Sequence, residues 1–501
     1  MTGLILVPIL IFFAALSAAA VWAERSTKER TLRAGFAADY FLGSRSLQGV
    51  VLAMTLFATY GSVSSFVSGP GIAWSVGCAW VAFAAPQMIA GFFLLGLMGS
   101  RMALVSRRIG AITVIDLLRT RYESRGFAVF AAAALLIFFT TMMTGQFIGG
   151  AAIFAEAAGL STEAALALFG ILVVLYTSMG GYRAVAWTDA VCAVLMLSGL
   201  VMLGWAILGD AGGLEAAALN AAASAPSGEH AFLSPTADGA IPATLLFSAW
   251  ILVGFGTAGL PQSAVRCMSY ASTRDLKLAI VIGTVVCGAL MIGLTALGFL
   301  ARGLPDLGLA PGTSTDHLIP KLIAERMNPW AAGITLIGPI AATMSTVSSL
   351  LIAASSAIVK DLLIASNPAL EADERKLKRI ARVSTLALGI LAMAAALKPL
   401  DLVAWINLAA FGGLELTFLL PLAGGLYWKR ANRAGAFGSA AGGLAVYGAL
   451  LLLKPDLAGF HPIVPAFAAA GVFFILGSLF GKPSSEEALR NFFPHGKGGR
   501  H

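Results

Sequence analysis

The 501-residue sequence has little of what a soluble enzyme requires. Only 12% of its residues are charged, and its four cysteines and five histidines are scattered along the chain. We find no metal-type spacing of cysteine and histidine, no glycine-rich phosphate loop and no paired catalytic constellation. These absences argue against an enzyme, a disulfide framework and an organic cofactor.

Apolar residues are abundant instead. Hydrophobic residues make up 58% of the chain, and the mean hydropathy is +0.86, which indicates an integral membrane protein. Apolar runs of about 20 residues, long enough to cross a bilayer as helices, recur from end to end. The sequence therefore predicts an all-α polytopic membrane protein with about thirteen transmembrane helices. The predicted spans are 3–23, 47–76, 78–99, 127–154, 162–180, 186–209, 241–265, 278–301, 330–359, 381–397, 401–427, 434–453 and 463–481.

The basic residues that give the net charge of +8 are unevenly divided between the two sides of the predicted membrane. If the N-terminus lies outside, the outer links hold only five basic residues: Arg302, Lys321, Arg326, Lys398 and Lys454. The other basic residues lie almost entirely in the inner links and the C-terminal tail, as the positive-inside rule requires. We therefore expect a multi-pass protein of the cell membrane with a cytoplasmic C-terminus, a lipid bilayer as its surroundings and no nucleic-acid partner. The first apolar run precedes its basic residues, so we interpret it as a retained helix and not a signal peptide.

Two spans contain helix-breaking residues. Gly61, Gly69, Pro70 and Gly71 interrupt the second span, and the segment 250–266 of the seventh contains three glycines and Pro261. Kinking for helix packing would explain either one alone. Because five helices separate them, the two cross in opposite directions, a pattern typical of inverted-repeat transporters. We expect an N-terminal helix and inner loop (1–46), a first repeat (47–209), an outer loop (210–240), a second repeat (241–427), and two final helices with a cytoplasmic tail (428–501).

The stretch "AATMSTVSSLLIAASSAIVKD" (341–361) is rich in hydroxyl side chains and uncharged before Lys360. Small hydroxyl residues can serve close helix packing alone. They can also coordinate a hard cation such as Na⁺ without a buried carboxylate, together with freed backbone carbonyls. The residues that would form such a site beside the break in the second span are Ala342, Ser345 and Thr346.

Several motifs resemble those of the solute:sodium symporter family over almost the whole chain. They include "VLAMTLFATYGSVSSFVSGPG" (51–71), "GGYRAVAWTDA" (180–190), "GLPQSAVRCMSY" (259–270), "MSTVSSLLIAASSAIVKDL" (344–362) and "NLAAFGGLELTFLLPL" (407–422). The resemblance implies a leucine-transporter-type five-plus-five inverted repeat, with one extra helix before and two after it. It also implies sodium-coupled import of a small organic anion by alternating access. The motifs "LGSRS", "AVRCMSY" and "GFHPIVP" imply pantothenate as the solute.

The same resemblance implies which residues hold sodium. The ligands fall on the carbonyls of Ala58, Gly61 and Ala342 and on the hydroxyls of Ser345 and Thr346. Some family members carry an aspartate where this chain has Tyr60, which puts a second sodium in doubt. Neither the sodium-to-solute ratio nor an obligate protein partner follows from the sequence.

Candidates for solute contact are neutral polar or aromatic residues on the broken spans and span four: Thr59, Tyr60, Ser64, Ser65, Gln146, Trp250, Thr257 and Gln262. Packing explains each of them equally well. Asp189 is either a helix cap or an ion site at the inner mouth, and Arg266 is interpreted as an orientation determinant at the inner end of its span. Glu415 is an intramembrane carboxylate with either a functional or a hydrogen-bonded structural role.

Other functions fit less well. A family relative carrying an amino acid, a monocarboxylate or a sugar is the closest alternative. A membrane-embedded enzyme lacks a catalytic constellation, and a sodium-linked sensor lacks a signalling domain. A simple channel is disfavoured by the internal repeat with broken helices.

Overall fold

The computed structural model describes residues 3–18, 40–179, 182–310, 313–398 and 403–493. Within these ranges, nine helices are long and apolar enough to cross a membrane, and two bent pairs bring the number to eleven. Two shorter apolar helices, Gly3–Ala18 and Thr162–Ser178, lie where the first and fifth spans were predicted. The all-α polytopic architecture is confirmed.

The spanning helices are numbered in chain order, with letters for the halves of the bent pairs. They are α1 (Gly3–Ala18), α2a (Gly49–Tyr60), α2b (Ser64–Val76), α3 (Cys78–Ile109), α4 (Arg125–Ala158), α5 (Thr162–Met179), α6 (Tyr182–Ala211), α7a (Ala243–Gly259), α7b (Pro261–Met268), α8 (Thr273–Ala301), α9 (Pro329–Ile364), α10 (Glu374–Ala396), α11 (Val403–Tyr427), α12 (Arg433–Leu453) and α13 (Ile463–Phe480). Four shorter helices connect them, namely Val114–Tyr122, Leu214–Ala223, Glu229–Leu233 and Leu318–Arg326, and a fifth, Glu486–Phe492, follows α13.

Several helices are longer than predicted because their charged ends continue the helix beyond the apolar run. Helix α3 ends at Ile109, α9 ends at Ile364, and α10 begins at Glu374. The charged residues before the apolar run of α10 form its first turns, because Asp373 caps the helix and its side chain accepts a hydrogen bond from the Lys376 amide. Residues 19–23 of the first predicted span and 401–402 of the eleventh lie outside the described ranges.

Both predicted breaks are present, with bends of 65° between α2a and α2b and 49° between α7a and α7b. In the first, Gly61 leaves the helix with extended backbone (φ −67°, ψ 102°). Gly69, Pro70 and Gly71 were expected to interrupt this span too. Instead they lie inside α2b, after a π-helical segment (Ser64–Ser68), which we call a wide turn because it has more residues per turn than an α-helix. In the second, Leu260 is extended (φ −74°, ψ 115°) because the following Pro261 disfavours the helical region for its predecessor.

The two broken spans run in opposite directions. The Leu47 amide, just before α2a, donates to the Ser269 carbonyl just after α7b (3.1 Å), and the Ala271 amide donates back to the Leu47 carbonyl (2.9 Å). In addition, the Asp275 carboxylate accepts the Gly49 amide at the start of α2a (2.7 Å). The start of one span therefore meets the end of the other, as an inverted repeat requires.

Helix α9 lies at the centre of the described bundle and packs against α4 and α6, while α12 and α13 pack on each other at its margin. The apolar face of α9 is as buried as its hydroxyl face, since Met344, Val347 and Leu351 are all 1% exposed or less. Neither face of this helix segment therefore contacts lipid, and its hydroxyl groups must find partners inside the protein.

Candidate functional site

The five residues proposed as sodium ligands lie together where the end of α2a meets α9. The Ser345 hydroxyl is 3.0 Å from the Ala58 carbonyl and 3.1 Å from the Ala342 carbonyl. The Thr346 hydroxyl is 2.9 Å from the Ala342 carbonyl and 3.4 Å from that of Gly61. We call this group of three carbonyls and two hydroxyls the oxygen cluster.

The break in the first span creates this cluster. Because α2a ends at Tyr60, the Phe57 carbonyl is the last to accept a backbone amide, that of Gly61, and the carbonyls of Ala58 and Gly61 have no backbone partner among the described residues. The Ser345 and Thr346 side chains, 2% and 1% exposed, reach these carbonyls across the interface. A buried group of neutral oxygens matches what a monovalent hard cation needs, and it carries no charge of its own.

An ion pair lies one helical turn along α9 from the oxygen cluster. An oxygen of Asp189 is 3.3 Å from Nη2 of Arg266, and both side chains are 1% exposed. The same Asp189 oxygen accepts hydrogen bonds from Thr55 (2.9 Å) and Ser349 (3.3 Å), and Ser349 lies 3.4 Å from the Thr59 hydroxyl. The pair therefore joins α2a, α6, α7b and α9.

This pair corrects the interpretation of Arg266 as an orientation determinant near the inner surface. Its guanidinium is fully buried because it compensates Asp189, which lies about two turns inside α6 and does not cap a helix. From sequence alone, only the opposite charges of these two residue types indicate a pair, since the partners are 77 positions apart.

A cavity of about 60 Å³ lies on the other side of the break. Among the predicted solute-contact residues, Tyr60, Ser64 and Ser65 line it. Gln146 adjoins it: its carbonyl oxygen accepts the Val63 amide at 3.1 Å, and its amide nitrogen is 3.5 Å from the side-chain oxygen of Asn407. Gln146 thus holds the start of α2b in place.

Sequence reasoning missed several residues of this cavity, including Ser62, Trp80, Gln87 and Asn407. The Asn407 side chain is 3% exposed, and its amide nitrogen has no hydrogen-bond partner in the described part of the chain. An intramembrane asparagine in the quoted 407–422 motif was the signal that could have identified it. Trp80 stacks on Phe83 with ring centroids 4.5 Å apart and forms an aromatic wall.

Four predicted solute-contact residues lie elsewhere. Trp250 is 49% exposed on the surface of the bundle while the next three residues are buried, so α7a turns a different face inward. Thr257 donates to the Gly254 carbonyl at 2.6 Å within its own segment. Thr59 lies beside the ion pair, and Gln262 lines a second cavity together with Arg266.

Glu415 lies at neither the oxygen cluster nor the 60 Å³ cavity. Its side chain is fully buried in α11, and neither carboxyl oxygen has a hydrogen-bond partner among the described residues. It packs against α7a so closely that a β-carbon on Gly256 would lie 2.7 Å from its Oε2. The described residues therefore offer no hydrogen-bond partner for the structural role that was one of the two considered for Glu415.

Comparison with known sequences gives consistent relatives. The model of the sodium:solute symporter family matches residues 40–443. The sodium/pantothenate symporter of Escherichia coli K12 is 41% identical over 479 residues, which cover 95% of this chain and 96% of the relative. The sodium/pantothenate symporter of Haemophilus influenzae is 38% identical, with 96% and 98% covered. A sodium/proline symporter of Staphylococcus aureus is 27% identical, with 90% and 89% covered.

Solved structures establish the fold. A Na⁺-coupled sialic acid symporter in a substrate-bound outward-open state has a TM-score of 0.77 at 19% identity, covering 96% of this chain and 98% of its own. Mhp1, a nucleobase-cation-symport-1 family transporter in a closed conformation, has a TM-score of 0.57 at 16% identity, covering 91% and 98%. The fold of the described chain is therefore the leucine-transporter-type inverted repeat.

Proposed function

The chain belongs to the sodium:solute symporter family, and from that premise we propose that it imports pantothenate together with Na⁺ held at the oxygen cluster. The observation that carries the sodium assignment is the meeting of two α9 hydroxyls with the freed carbonyls of α2a. Alternating access by rocking of one helix bundle against the other follows from the inverted repeat.

The geometry supplies a reason for coupling. The break between α2a and α2b provides sodium ligands, Ala58 and Gly61, on one side and cavity residues, Tyr60 and Ser64, on the other. An ion bound to the Gly61 carbonyl would also fix the position of Ser64, which follows three residues later and lines the cavity. Binding of each ligand therefore favours binding of the other by the same factor.

The cavity chemistry supports a polar, singly charged solute. Pantothenate carries one carboxylate, an amide and two hydroxyls, and the cavity offers serine hydroxyls, the Asn407 amide and the amino-terminal end of α2b. No charged side chain lines the described cavity, so neutral donors would bind the carboxylate. The two relatives named as sodium/pantothenate symporters add further support.

We further propose an outer N-terminus and a cytoplasmic C-terminus. The proposed division of the chain is an N-terminal helix and inner loop (1–46), a first repeat (47–209), an outer loop (210–240), a second repeat (241–427) and two final helices with a tail (428–501). In this orientation α2a is the inner half of its span, and the 60 Å³ cavity lies outward of the oxygen cluster. Import of one Na⁺ with one monovalent anion moves no net charge, so the membrane potential, about 2.3 kcal/mol per charge per 100 mV, would not drive transport at that ratio.

The test is uptake of labelled pantothenate into liposomes containing the purified protein. An inward Na⁺ gradient should drive accumulation above equilibrium, and an equal K⁺ gradient should not. Unlabelled pantothenate should compete, whereas excess proline or sialic acid should not. Accumulation of a different solute, with none of pantothenate, would reject the solute assignment and leave sodium coupling standing.

A further inference from the structure

The hydroxyl face of α9 leads past the oxygen cluster and the ion pair to a buried carboxylate, Asp361. This side chain is 6% exposed. Its Oδ1 accepts a hydrogen bond from the Thr113 hydroxyl at 2.6 Å, and its Oδ2 has no partner in the described part of the chain. Asp361 lies in the wide turn Ala357–Ile364, a helix irregularity that is frequent at functional sites.

An internal cavity of about 30 Å³ connects Asp361 with the ion pair. Ser349 and Arg266 line it near the ion pair, and Ser356, Thr113 and Asp361 line it further along α9. A cavity of this size exceeds the roughly 10–15 Å³ that one water molecule needs. Although most of its other lining residues are apolar, the cavity thus carries polar side chains toward both ends and continues from the ion pair toward the proposed cytoplasmic side.

The nearby basic side chains already have other carboxylate partners. Lys360 lies 3.2 Å from Glu371, Arg119 lies 2.5 Å from Asp116, and Arg266 pairs with Asp189. Among the described residues, Asp361 has no ion pair of its own. A buried carboxylate without a counter-ion is unfavourable, and a passing cation would relieve this cost.

We propose that Asp361, together with the hydroxyls of Thr113 and Ser356, forms a transient Na⁺ site on the release path from the oxygen cluster. This inference rests on the proposed sodium coupling. Sixteen residues separate Ser345 from Asp361, about 24 Å at the helical rise, so the second site lies well inward of the first. The carboxylate supplies the charge that the oxygen cluster lacks and draws the ion toward the inner surface.

Its test uses liposomes with a uniform protein orientation in which Na⁺ is varied separately inside and outside. Sodium inside should inhibit wild-type uptake by rebinding to the release path. In Asp361→Asn, the internal Na⁺ concentration for half-inhibition should rise at least fivefold and the turnover rate should fall, with the external half-saturating Na⁺ unchanged within twofold. Asp361→Glu should retain most of the wild-type behaviour because it keeps a carboxylate.

Glu374→Gln is the matched control, because Glu374 is an exposed carboxylate in the first turn of α10, at the same end of the protein, and its removal leaves the Lys360–Glu371 pair intact. An unchanged internal inhibition in Asp361→Asn, an equal shift on both sides, or the same shift in Glu374→Gln would overturn the proposal. If Asp361→Asn does not fold, Thr113→Val should give a smaller shift in the same direction, and no shift would count against the site. Absence of sodium-driven uptake in the wild type would instead reject the proposed function.

Discussion

The two broken spans are interrupted by similar residues, but their breaks have different partners. At the break of α2, the carbonyls of Ala58 and Gly61 meet hydroxyls of α9, and the Val63 amide meets Gln146 of α4. Every one of these contacts comes from another helix. The backbone groups freed at the first break are therefore bonded by side chains of neighbouring helices.

At the break of α7, the polar groups bond mainly within the same segment. Thr257 donates to the Gly254 carbonyl, the Leu260 amide donates to the Thr257 carbonyl at 3.1 Å, and the Ser263 amide donates to the Leu260 carbonyl at 3.0 Å. Its neighbour α11 presents close-packed Leu419 and Glu415. The difference supports the proposal that the first break, where an adjacent helix supplies hydroxyl oxygens, is the one that binds the ion.

The largest expected effect concerns the ion pair that connects the two broken spans. Asp189→Ala leaves the buried Arg266 guanidinium without its counter-ion, which should lower the free energy of unfolding by about 3–5 kcal/mol. Thermal unfolding of the purified protein in detergent would measure this loss. The paired variant Asp189→Leu with Arg266→Met should recover most of the stability, and a single variant as stable as the wild type would contradict the assignment.

The next effect separates the two breaks directly. Ser345→Ala with Thr346→Ala removes two ligands from the oxygen cluster, and at about 1.4 kcal/mol per ligand the half-saturating Na⁺ concentration should rise about 100-fold. Thr257→Val at the second break is the matched control and should change it less than twofold. Equal effects at both breaks would show that the partner helix does not decide which break binds the ion.

A smaller effect is expected on the solute side of the first break. Asn407→Ala removes the unpartnered amide donor of the cavity and should raise the KM for pantothenate about tenfold, the cost of roughly one hydrogen bond to a charged group. Sodium dependence at saturating pantothenate should stay within twofold of the wild type. A change in sodium dependence without a change in KM would place Asn407 outside the solute site.

The smallest effect is expected at the second break. Glu415→Gln keeps the shape of a side chain that contacts the Gly256 backbone and removes only its ability to ionise. We expect initial uptake rates within twofold of the wild type between pH 6 and pH 8. A variant that lost sodium-driven accumulation or altered its pH profile would instead assign Glu415 to the coupling machinery.

Much of this fold and part of the site follow from local sequence patterns. The thirteen apolar segments, the break at Gly61 and the hydroxyl-rich α9 are all visible because each depends on residues close in sequence. The Asp189–Arg266 pair and the cavity contact of Asn407 join residues from distant helices, so a local pattern can mark each residue as unusual within a span but cannot predict its partner. Trp250 was wrongly predicted to contact the solute. It begins a wide turn, Trp250–Gly254, which rotates the residues that follow about the helix axis, so α-helical periodicity does not predict which of them face inward.

The most direct test of the central claim is equilibrium binding of ²²Na⁺ to the purified protein with and without saturating pantothenate. If the first break couples the two ligands, pantothenate should tighten Na⁺ binding several-fold in the wild type and in Thr257→Val. Ser345→Ala with Thr346→Ala should weaken Na⁺ binding about 100-fold, so that at concentrations that saturate the wild type neither the binding nor its dependence on pantothenate is detected. Unchanged sodium binding in that variant would contradict the account, because the ion would then be held away from the break that forms the cavity.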